Sequence, residues 1–511
     1  MTSLSKSCLL GIDVGTSGVK VLLMDIDGHI LAVSTERYEV LHERPLFAEQ
    51  DPEVWWEKTC LAIQKVIEIS GCSSDSIQGI GLTGQMHSLV VLDSDGKVIR
   101  PAILWSDQRT QPECDWMNEH IGSSHILRFT ANPALPNFTA TKLQWIRQHE
   151  PYHFKKIAKI LLPKDYIRYC LTGEYASDVS DASGTLLFDV RNRHWSQEMC
   201  ERLEIPMEWL PRVLESPELT GTVNPTAAAK TGLQIGTKVV AGAGDQASGA
   251  VGNGIVRSGV VSSTIGTSGV VFAFAKNIVQ DEQGRLHSFC HAVPGAWHVM
   301  GVTQAAGGSL QWYAKQFAPL EQALAETLAE DIYDLLAKEA AQVAAGSEGL
   351  VYLPYLLGER TPHLDPYARA VFFGVTVRHK RAHFVRAIME GVSFSLRDSL
   401  SLIEDLQLPI EEIRLSGGGA KSDLWCSIQT NIYGRSVHTV ESDEGPAFGA
   451  AILAGVGTGC FVDVESACDL LIMRKHTYHP QLDEMNLYNR QYAVYKEIYE
   501  LLKPLYRKFI S

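Results

Sequence analysis

The sequence predicts an α/β protein with two related domains that face each other across a cleft, and three observations support this fold class. The chain has 511 residues, more than a single hydrophobic core usually serves, so two domains are expected. The pentapeptide GTSGV occurs twice, at 15–19 and 266–270, near the start of each half. Strand-like apolar runs and helical spacing follow both copies in one order, which is typical of mixed sheets covered by helices on both faces.

The first half opens with three strand-like runs, CLLGIDVG, VKVLLMDI and ILAVSTERY, which occupy residues 8–38. Apolar spacing predicts a helix over 54–69, and IQGIGLTGQ over 77–85 reads as a strand that ends in a glycine turn. The segment SLVVLDSDGKVIR predicts a hairpin that turns at Asp95-Gly96.

The second half repeats this order. The runs GVVSSTIG, GVVFAFA and AWHVMGVT predict strands, SLQWYAKQF begins a helix, and IRLSGGG is a strand that feeds the helix KSDLWCSIQTNIYG. The segment GDQASGAVGNG of the first half has an echo in EGPAFGAAILAG of the second. We therefore interpret the chain as a duplicated βββαβαβα unit that ends in a C-terminal helix, NLYNRQYAVYKEIYELLKPLYRKF.

The expected domains are 1–254 and 255–511, with the boundary near 253–256. The first half carries an insertion of about 106–236 that the second half lacks. So large an excursion is expected to shape a specific pocket, and a lid or an interface role stays open.

Composition limits the kind of partner. A net charge of −14 argues against a nucleic-acid surface, so an anionic ligand must be held by local backbone dipoles and a metal ion. The ten cysteines form no CxxC pair, which indicates neither a zinc site nor a disulfide framework and suits a reducing cytoplasm. The start MTSLSKSCLLGIDVG is too polar for a signal peptide, and nowhere do 18 apolar residues run together. We expect a cytoplasmic protein with no membrane partner.

Each GTSGV turn lies between two strands and presents successive backbone N–H groups, an arrangement that suits phosphate oxygens. Two such hairpins facing each other could hold a polyphosphate from both sides, with hydroxyl donors from Thr16, Ser17, Thr267 and Ser268. The alternative is a tight hairpin without a ligand. The segment GGGAKS resembles a P-loop, but Ala420 stands where the glycine before the lysine belongs.

Asp13 precedes the first turn, and Thr264 takes its place in the second copy. A carboxylate aimed into a phosphate cleft is expected to hold Mg²⁺, and one such position is enough for one cleft. The alternative is a capping or turn aspartate.

Asp245 follows an apolar strand and opens a small-residue helix, where a carboxylate can accept the proton of a substrate hydroxyl. The alternative is an N-cap. Gln246 beside it suits a polyol. His87 lies where a strand leaves the sheet edge, where open α/β sheets bind ligands, although a histidine there is more often structural than functional. In HSFCH, His287 and His291 lie too far apart along a strand to share a metal ion with Cys290.

Taken together, GIDVGTSGVK, GQMH, LLPKDYIRY, GDQASGAVG, STIGTSGV, YLPYLLGERTPHLDPYARAVFFGVT and LSGGGAKSDLW resemble the FGGY carbohydrate kinases, in order, from about Leu9 to the C-terminal helix. The resemblance implies two actin/hexokinase-type (ribonuclease H-like) ATPase domains with ATP and Mg²⁺ in the cleft between them. It also implies transfer of the γ-phosphoryl group to the 5-hydroxyl of a ketose, D-xylulose.

Matched motif by motif, the resemblance implies that Asp245 is the catalytic base, that Met86 and His87 contact the sugar and that Asp13 is the metal-associated acid. Gln246 stands beside the base in the sugar pocket. The phosphate turns are Gly15, Thr16, Ser17 and Gly266, Thr267, Ser268. The other nucleotide contacts are Gly307, Gln311, Trp312, Gly418, Gly419, Ala420 and Asp423.

Two departures from the family concern the sugar. Many relatives have asparagine where this chain has Gln246, and Ser88 follows GQMH where glycine is common. Gluconate, ribulose or another polyol therefore stays open as the acceptor. A non-catalytic, actin-like nucleotide-binding protein is the alternative from another class, and a homodimer is left open.

Overall fold

The structure is a computed structural model that describes residues 7–441 and 444–509. Two seven-stranded mixed sheets form its frame. The strands of the first sheet are β1 Cys8–Val14, β2 Gly18–Asp25, β3 Ile30–Arg37, β4 Ile77–Gly84, β5 Leu219–Thr222, β6 Lys238–Val240 and β7 Ala243–Gly244. Their order is β5-β6-β4-β1-β2-β3, with β7 beside β4; β1, β4 and β6 run parallel, and β2 runs antiparallel to both β1 and β3.

The second sheet has the order β10-β11-β9-β8-β12-β13-β14. Its strands are β8 Gly259–Ile265, β9 Gly269–Ala275, β10 His287–Cys290, β11 Trp297–Thr303, β12 Ile410–Gly417, β13 Val437–Val440 and β14 Arg474–Tyr478. The five strands β13-β12-β8-β9-β11 repeat β6-β4-β1-β2-β3 in order and direction. The duplicated unit predicted from GTSGV is confirmed, while the domain boundary near 253–256 stays a prediction.

Helices cover the sheets: α1 Pro52–Ser70, α2 Pro163–Thr172, α3 Asp245–Gly252, α4 Gly307–Phe317, α5 Arg381–Asp405, α6 Asp423–Tyr433, α7 Gly445–Thr458 and α8 Leu482–Tyr506. The sequence around α1 shows why it forms: the Asp51 side chain accepts from the backbone N–H of Glu53, Pro52 opens the first turn and Gly71 ends the helix in the left-handed region. In α8 the predicted spacing buries one face, which consists of Tyr488, Tyr492, Tyr495, Ile498, Tyr499 and Tyr506.

Shorter elements complete the described chain. The strands are Glu49–Gln50, Val90–Leu92, Ala102–Ile103, Lys159–Leu161, Ala176–Asp178, Phe188–Asp189, His194–Trp195, Arg212–Leu214, Val351–Leu353 and Val371–Phe373. The helices are Gln111–Met117, Ser123–Thr130, Thr139–His149, Pro151–Phe154, Val179–Ala182, Gln197–Arg202, Pro225–Thr231, Pro319–Leu328, Ile332–Ala340 and Val464–Leu471.

The hairpin predicted over 88–100 has its turn at Gly96, with φ of 76°, but the returning arm makes only one bridge, between Leu92 and Val98. The strand Val90–Leu92 pairs instead with Lys159–Leu161 of the insertion. The position of the turn was therefore predicted correctly, but the edge of the strand Val90–Leu92 pairs with a distant strand of the insertion.

Helices α3 and α7, the two echoed segments, pack against each other. Helix α7 also lies on the first sheet, although it comes from the second half of the sequence. Glycines permit both contacts: a Cβ at Gly449 would lie 1.9 Å from the carbonyl oxygen of Ser248, and one at Gly11 would lie 1.9 Å from that of Ala447. The second half of the chain thus contacts the first sheet through α7, which packs closely against α3.

The insertion of the first half is bonded to the second sheet. The Asn132 amide donates to the Ser288 carbonyl (2.8 Å), and the Cys290 backbone N–H donates to the Ser183 hydroxyl (3.0 Å). The Trp297 indole donates to the Val190 carbonyl at 2.7 Å. These contacts form an insertion seam between residues 132–190 and strands β10 and β11. Within the described ranges, every helix is too short or too polar to traverse a bilayer.

Candidate active site

Two carboxylates meet where strands of the first sheet end. Asp13 lies near the end of β1 and pairs in register with Thr83 of β4, which in turn pairs with Ala243 of β7. Asp245 follows β7 directly and is the first residue of α3, whose N-cap is Gly244, so the N-cap alternative for Asp245 is not what the structure has. The carboxyl ends of neighbouring strands are where open α/β sheets bind ligands.

Burial and mutual repulsion shape these acids. The pKa of Asp245 is raised to about 7, chiefly by burial and also by the charge of Asp13, and hydrogen bonds from Gln246 oppose the shift. Burial also raises the pKa of Asp13 to about 6, offset by the charge of Lys20. In the described part of the chain, the buried Oδ1 atom of Asp13 has no hydrogen-bond partner. The pKa of Asp245 therefore lies near neutral pH, and one carboxylate oxygen of Asp13 lacks a hydrogen-bond donor.

A crevice connects Asp245 to the second sheet. A cavity of about 490 Å³ is lined by Asp245 and Gln246 together with Thr264, Ser416 and Gly417 of the second half. A second cavity of about 670 Å³ adjoins it, since Gly417 and Lys421 line both. Further residues that line the second cavity are Gly266, Thr267, Gly307, Gln311, Gly418 and Gly419. The residues that line the two cavities thus extend from Asp245 to the glycines that follow β12, whereas Asp13 lines neither cavity.

The first GTSGV turn is held through its carbonyl groups. Tyr38 donates to the Gly15 carbonyl (2.6 Å), Gln50 donates to the Thr16 carbonyl (2.8 Å) and the Trp105 indole donates to the Thr16 hydroxyl (2.8 Å). With the carbonyls engaged, the amide side of the turn is left to face a ligand.

The second turn is held in the same sense. The backbone N–H groups of Gly307 and Gly308, at the start of α4, donate to the carbonyls of Gly266 (2.8 Å) and Thr267 (2.9 Å). Within residues 7–441 and 444–509, no acceptor is found for four amides of the two turns, those of Thr16, Ser17, Thr267 and Ser268. Unpaired amides in a concave turn are suited to anionic oxygens.

Met86 lies against Gly244, the residue before Asp245, and His87 follows it in the chain. The His87 Nδ1–H donates to the Gly184 carbonyl (2.6 Å), which leaves the Nε2 atom as an acceptor. Burial lowers the pKa of His87 to about 3, so the ring is neutral. His87 has a φ of 67°, a strained conformation of the kind that collects at functional sites, and Met86 packs against Gly244, directly before Asp245.

The comparisons with known proteins agree with this geometry. Residues 8–252 match the N-terminal domain of the FGGY family of carbohydrate kinases, and residues 261–458 match its C-terminal domain. The chain belongs to the FGGY family of carbohydrate kinases. The actin/hexokinase-type fold predicted from the sequence is confirmed, and the protein is a carbohydrate kinase of a family that uses ATP.

Individual FGGY kinases match along nearly the whole chain. A xylulose kinase of Bacillus subtilis (strain 168) is 40% identical over 497 residues, covering 97% of each chain. A gluconokinase of the same organism is 30% identical over 502 residues, covering 98% of this chain and 97% of that one. The crystal structure of xylulose kinase from Rhodospirillum rubrum aligns with a TM-score of 0.90 and 29% identity over 98% of this chain and 100% of that chain.

Eight of the nucleotide contacts predicted from the sequence line the two cavities: six line the second, as given above, and Ala420 and Asp423 line the first. The other five line neither cavity, and they are Gly15, Thr16, Ser17, Ser268 and Trp312. Trp312 lies on α4 and packs edge-on against Phe317, with ring centroids 5.3 Å apart. The roles of all these residues in nucleotide binding stay predictions.

The departure at Ser88 has a structural explanation. Its buried hydroxyl donates to the Gln85 side chain (3.1 Å) and accepts from the Trp105 backbone N–H (3.0 Å). The hydroxyl is therefore used within the protein rather than presented to a sugar. The imidazoles of HSFCH are likewise engaged, since His287 contacts the Asn132 amide oxygen (3.2 Å) and His291 contacts the Ile255 carbonyl (3.0 Å).

A buried ion cluster close to Gly244 was not predicted from the sequence. The Lys164 ammonium lies 2.6 Å from Asp165, 2.8 Å from Asp178 and 3.3 Å from Asp181, and all four side chains are fully buried. The Ser180 hydroxyl donates to Asp178 (2.5 Å) and accepts from the backbone N–H of Gly244 (3.1 Å). The cluster thus fixes the residue that precedes Asp245. The motif LLPKDYIRY contains two of its members, but nothing in the spacing ties them to 178–181.

Proposed function

We propose that this kinase transfers the γ-phosphoryl group of ATP to the 5-hydroxyl of D-xylulose, giving D-xylulose 5-phosphate and ADP. The observation that carries the proposal is the position of Asp245, which lines the shared crevice directly after Gly244, the residue that Met86 packs against. The likeness of nearly the whole chain to proteins named xylulose kinase supports the choice of sugar.

In this proposal Asp245 accepts the proton of the attacking hydroxyl. A carboxylate whose pKa burial raises to about 7 is a stronger base than an exposed one and is still ionised in a large fraction at neutral pH. The neutral His87 accepts a hydrogen bond from a sugar hydroxyl at its Nε2 atom, and Gln246 orients Asp245. The free amides of the two turns bind phosphate oxygens, as oriented dipoles do in phosphoryl transfer.

We infer that Asp13 is the Mg²⁺-associated residue. Its buried Oδ1 atom lacks a partner in the described ranges, and hard divalent cations prefer such carboxylate oxygens. When bound, Mg²⁺ supplies positive charge that offsets the charge of the phosphate oxygens. Burial raises the pKa of Asp13 to about 6 and the charge of Lys20 opposes that rise, so the carboxylate is largely ionised at neutral pH.

A panel of acceptors in a coupled ADP assay tests the function. D-xylulose, D-ribulose, L-ribulose, gluconate and glycerol are compared by kcat/KM, and the product is identified by phosphorus NMR. We expect D-xylulose to exceed the others by at least about tenfold, since a sugar pocket rejects analogues that leave its polar groups unpaired. A higher kcat/KM for gluconate would show that gluconate, and not D-xylulose, is the acceptor. An ATP turnover that no sugar changes would favour the non-catalytic, actin-like alternative. A cytoplasmic location and a homodimer remain proposals.

A further inference from the structure

A third cavity lies in the second half of the chain, apart from the crevice. It has a volume of about 400 Å³ and is formed by α5, α6, α8 and the start of β12. Its polar lining residues are Arg397, Ser401, Glu404, Tyr433, Arg435 and Asn489. Among the described residues, none that lines it also lines the first or the second cavity, so it is a pocket distinct from the candidate active site.

The charges that line the third cavity do not cancel. Glu404 is the one acidic residue of its described lining, and Arg435 neutralises it. The Arg435 guanidinium donates to the Glu404 carboxylate (2.7 Å) and to the Ile410 carbonyl (2.5 Å). The other charged residue there is Arg397. The lining therefore carries a net positive charge, in a chain whose net charge is −14.

The Arg397 guanidinium has no oxygen acceptor. Across the part of the chain that the structure describes, it makes neither a hydrogen bond nor an ion pair, and its Nη1 atom is buried. Its central carbon lies over the Tyr492 ring, 4.2 Å from the centroid, and the Tyr492 hydroxyl donates to Asp398 (2.5 Å). The ring attracts the cation but accepts no ordinary hydrogen bond. Because unpaired buried donors are costly, Arg397 is suited to the oxygens of a ligand.

The surroundings of Arg397 indicate the class of ligand. Ser401 follows it by one helical turn on α5, and Asn489 of α8 lines the same cavity, so a hydroxyl and an amide accompany the guanidinium. Leu400 and Met485 add apolar surface. A volume of about 400 Å³ lies in the range of pockets for small molecules. Since guanidinium groups pair with carboxylate and phosphate oxygens, the cavity suits a small organic anion.

Two helices connect the third cavity to the second. On α5, Met389 lines the second cavity, and Arg397, about two turns further on, lines the third. On α6, Trp425 lines the second cavity and Tyr433, again about two turns further on, lines the third. The Trp425 indole donates to the Met389 carbonyl (3.1 Å), which joins the two helices beside the second cavity. A ligand that shifts α5 or α6 in the third cavity therefore also shifts residues that line the second.

We propose that the third cavity is a regulatory site for a small organic anion, whose carboxylate or phosphate oxygens accept hydrogen bonds from Arg397. Its occupation changes the affinity of the second cavity for ATP through α5 and α6. The inference rests on the proposed place of ATP and not on the sugar that is phosphorylated.

Calorimetric titrations with succinate and with inorganic phosphate test the site and separate a carboxylate from a phosphate ligand. A saturating non-hydrolysable ATP analogue with Mg²⁺ keeps both probes out of the crevice. We expect the Kd of the bound probe to rise at least about tenfold in Arg397→Gln, because charge-assisted hydrogen bonds are lost. Arg490→Gln is the control, since Arg490 is exposed on α8 and does not line the cavity. Should Arg397→Gln fail to fold, Asn489→Trp at an exposed lining position should obstruct binding instead.

The Kd of the ATP analogue measures the coupling between the two cavities. A saturating probe should change it about fivefold or more in the wild type and in Arg490→Gln, and not in Arg397→Gln. The inference is overturned if the wild type binds neither probe, if Arg397→Gln binds as the wild type does, or if a bound probe leaves the Kd of the analogue unchanged. Failure of the proposed sugar transfer is read separately, from the panel of acceptors.

Discussion

Among single residues, Asp245 shows how surroundings set chemistry. Its carboxylate is an ordinary side chain raised to a pKa of about 7 by burial and by Asp13. The sequence singled out both acids, because Asp13 precedes a glycine turn and Asp245 follows an apolar strand and opens a small-residue helix. Their roles stay predictions. The sequence did not predict that Asp13 and Asp245 face each other, because 232 residues separate them and only the register of β1, β4 and β7 brings them together.

Replacement of Asp245 by asparagine should remove turnover and leave sugar binding. The amide cannot accept a proton, so we expect kcat to fall by about 10²- to 10⁴-fold, the range of general base catalysis. A coupled ADP assay measures turnover, and calorimetry measures D-xylulose binding. The exposed Asp115→Asn is the control. Near-normal turnover in a folded Asp245→Asn would refute the role of the base.

Replacement of Lys164 should lower the stability of the protein. Its ammonium is the shared partner of Asp165, Asp178 and Asp181, so Lys164→Met leaves buried carboxylates uncompensated. We expect a loss of about 3–5 kcal/mol in the free energy of unfolding, measured by urea denaturation. The exposed Lys155→Met should change it by less than about 0.5 kcal/mol. A small effect of Lys164→Met would mean that the cluster is already neutralised.

Asp398 should make stability depend on pH. Burial raises its pKa to about 7, against a hydrogen bond from Tyr492, whereas an unfolded aspartate titrates near about 3.9. Between these values the folded protein keeps a proton that the unfolded chain has released, so this contribution to stability is present at low pH and is lost as the pH rises toward 7.

Asp398→Asn cannot titrate, so its stability relative to the wild type should rise between pH 5 and pH 7 and then level off. The expected relative gain is on the order of 1–3 kcal/mol in urea denaturation. A difference between the two proteins that stays constant over this pH range would show that Asp398 is not protonated in the folded state.

At the scale of elements, α3 and α7 depend on close approach. The sequence identified them as echoes of one another, and the duplication predicted their strands and helices well because the local patterns of period 2 and period 3.6 were clear. That they pack on each other was not predictable, since packing partners leave no periodic signal. For the same reason the pairing of the strand Val90–Leu92 with Lys159–Leu161 could not be predicted from the turn that follows Val90–Leu92.

Glycine-to-alanine changes in α3 and α7 should differ in their effect on stability, according to the space around each glycine. A Cβ at Gly449 meets the Ser248 carbonyl oxygen at 1.9 Å, whereas a Cβ at Gly249 meets nothing nearer than Pro446, at 3.6 Å. We expect Gly449→Ala to cost about 2 kcal/mol or more of stability by overpacking, and Gly249→Ala to be neutral or stabilising by up to about 1 kcal/mol. Equal melting temperatures for the two variants would contradict this packing.

For the whole molecule, the residues that line the crevice come from both halves, so bound ligands should draw the halves together. Closure would exclude water, which otherwise competes with the sugar as phosphoryl acceptor. The two cavities are joined at Gly417 and Lys421, and this continuity depends on the assembled fold rather than on any one motif.

Small-angle scattering can measure the closure. D-xylulose together with Mg²⁺ and a non-hydrolysable ATP analogue should reduce the radius of gyration and raise the melting temperature more than either ligand alone, because each ligand then contacts residues brought closer by the other. In Asp13→Ala, the part of the melting shift that depends on Mg²⁺ should be lost. Ligand effects that simply add, with an unchanged radius, would show that the crevice is already closed.

The insertion seam makes the two ends of the crevice unequal. Bonds from Asn132, Ser183 and Val190 to β10 and β11 act as a pivot beside His87. A swing of one half against the other that keeps these bonds displaces atoms beside the seam less than atoms far from it. The end of the crevice beside His87 should therefore open least.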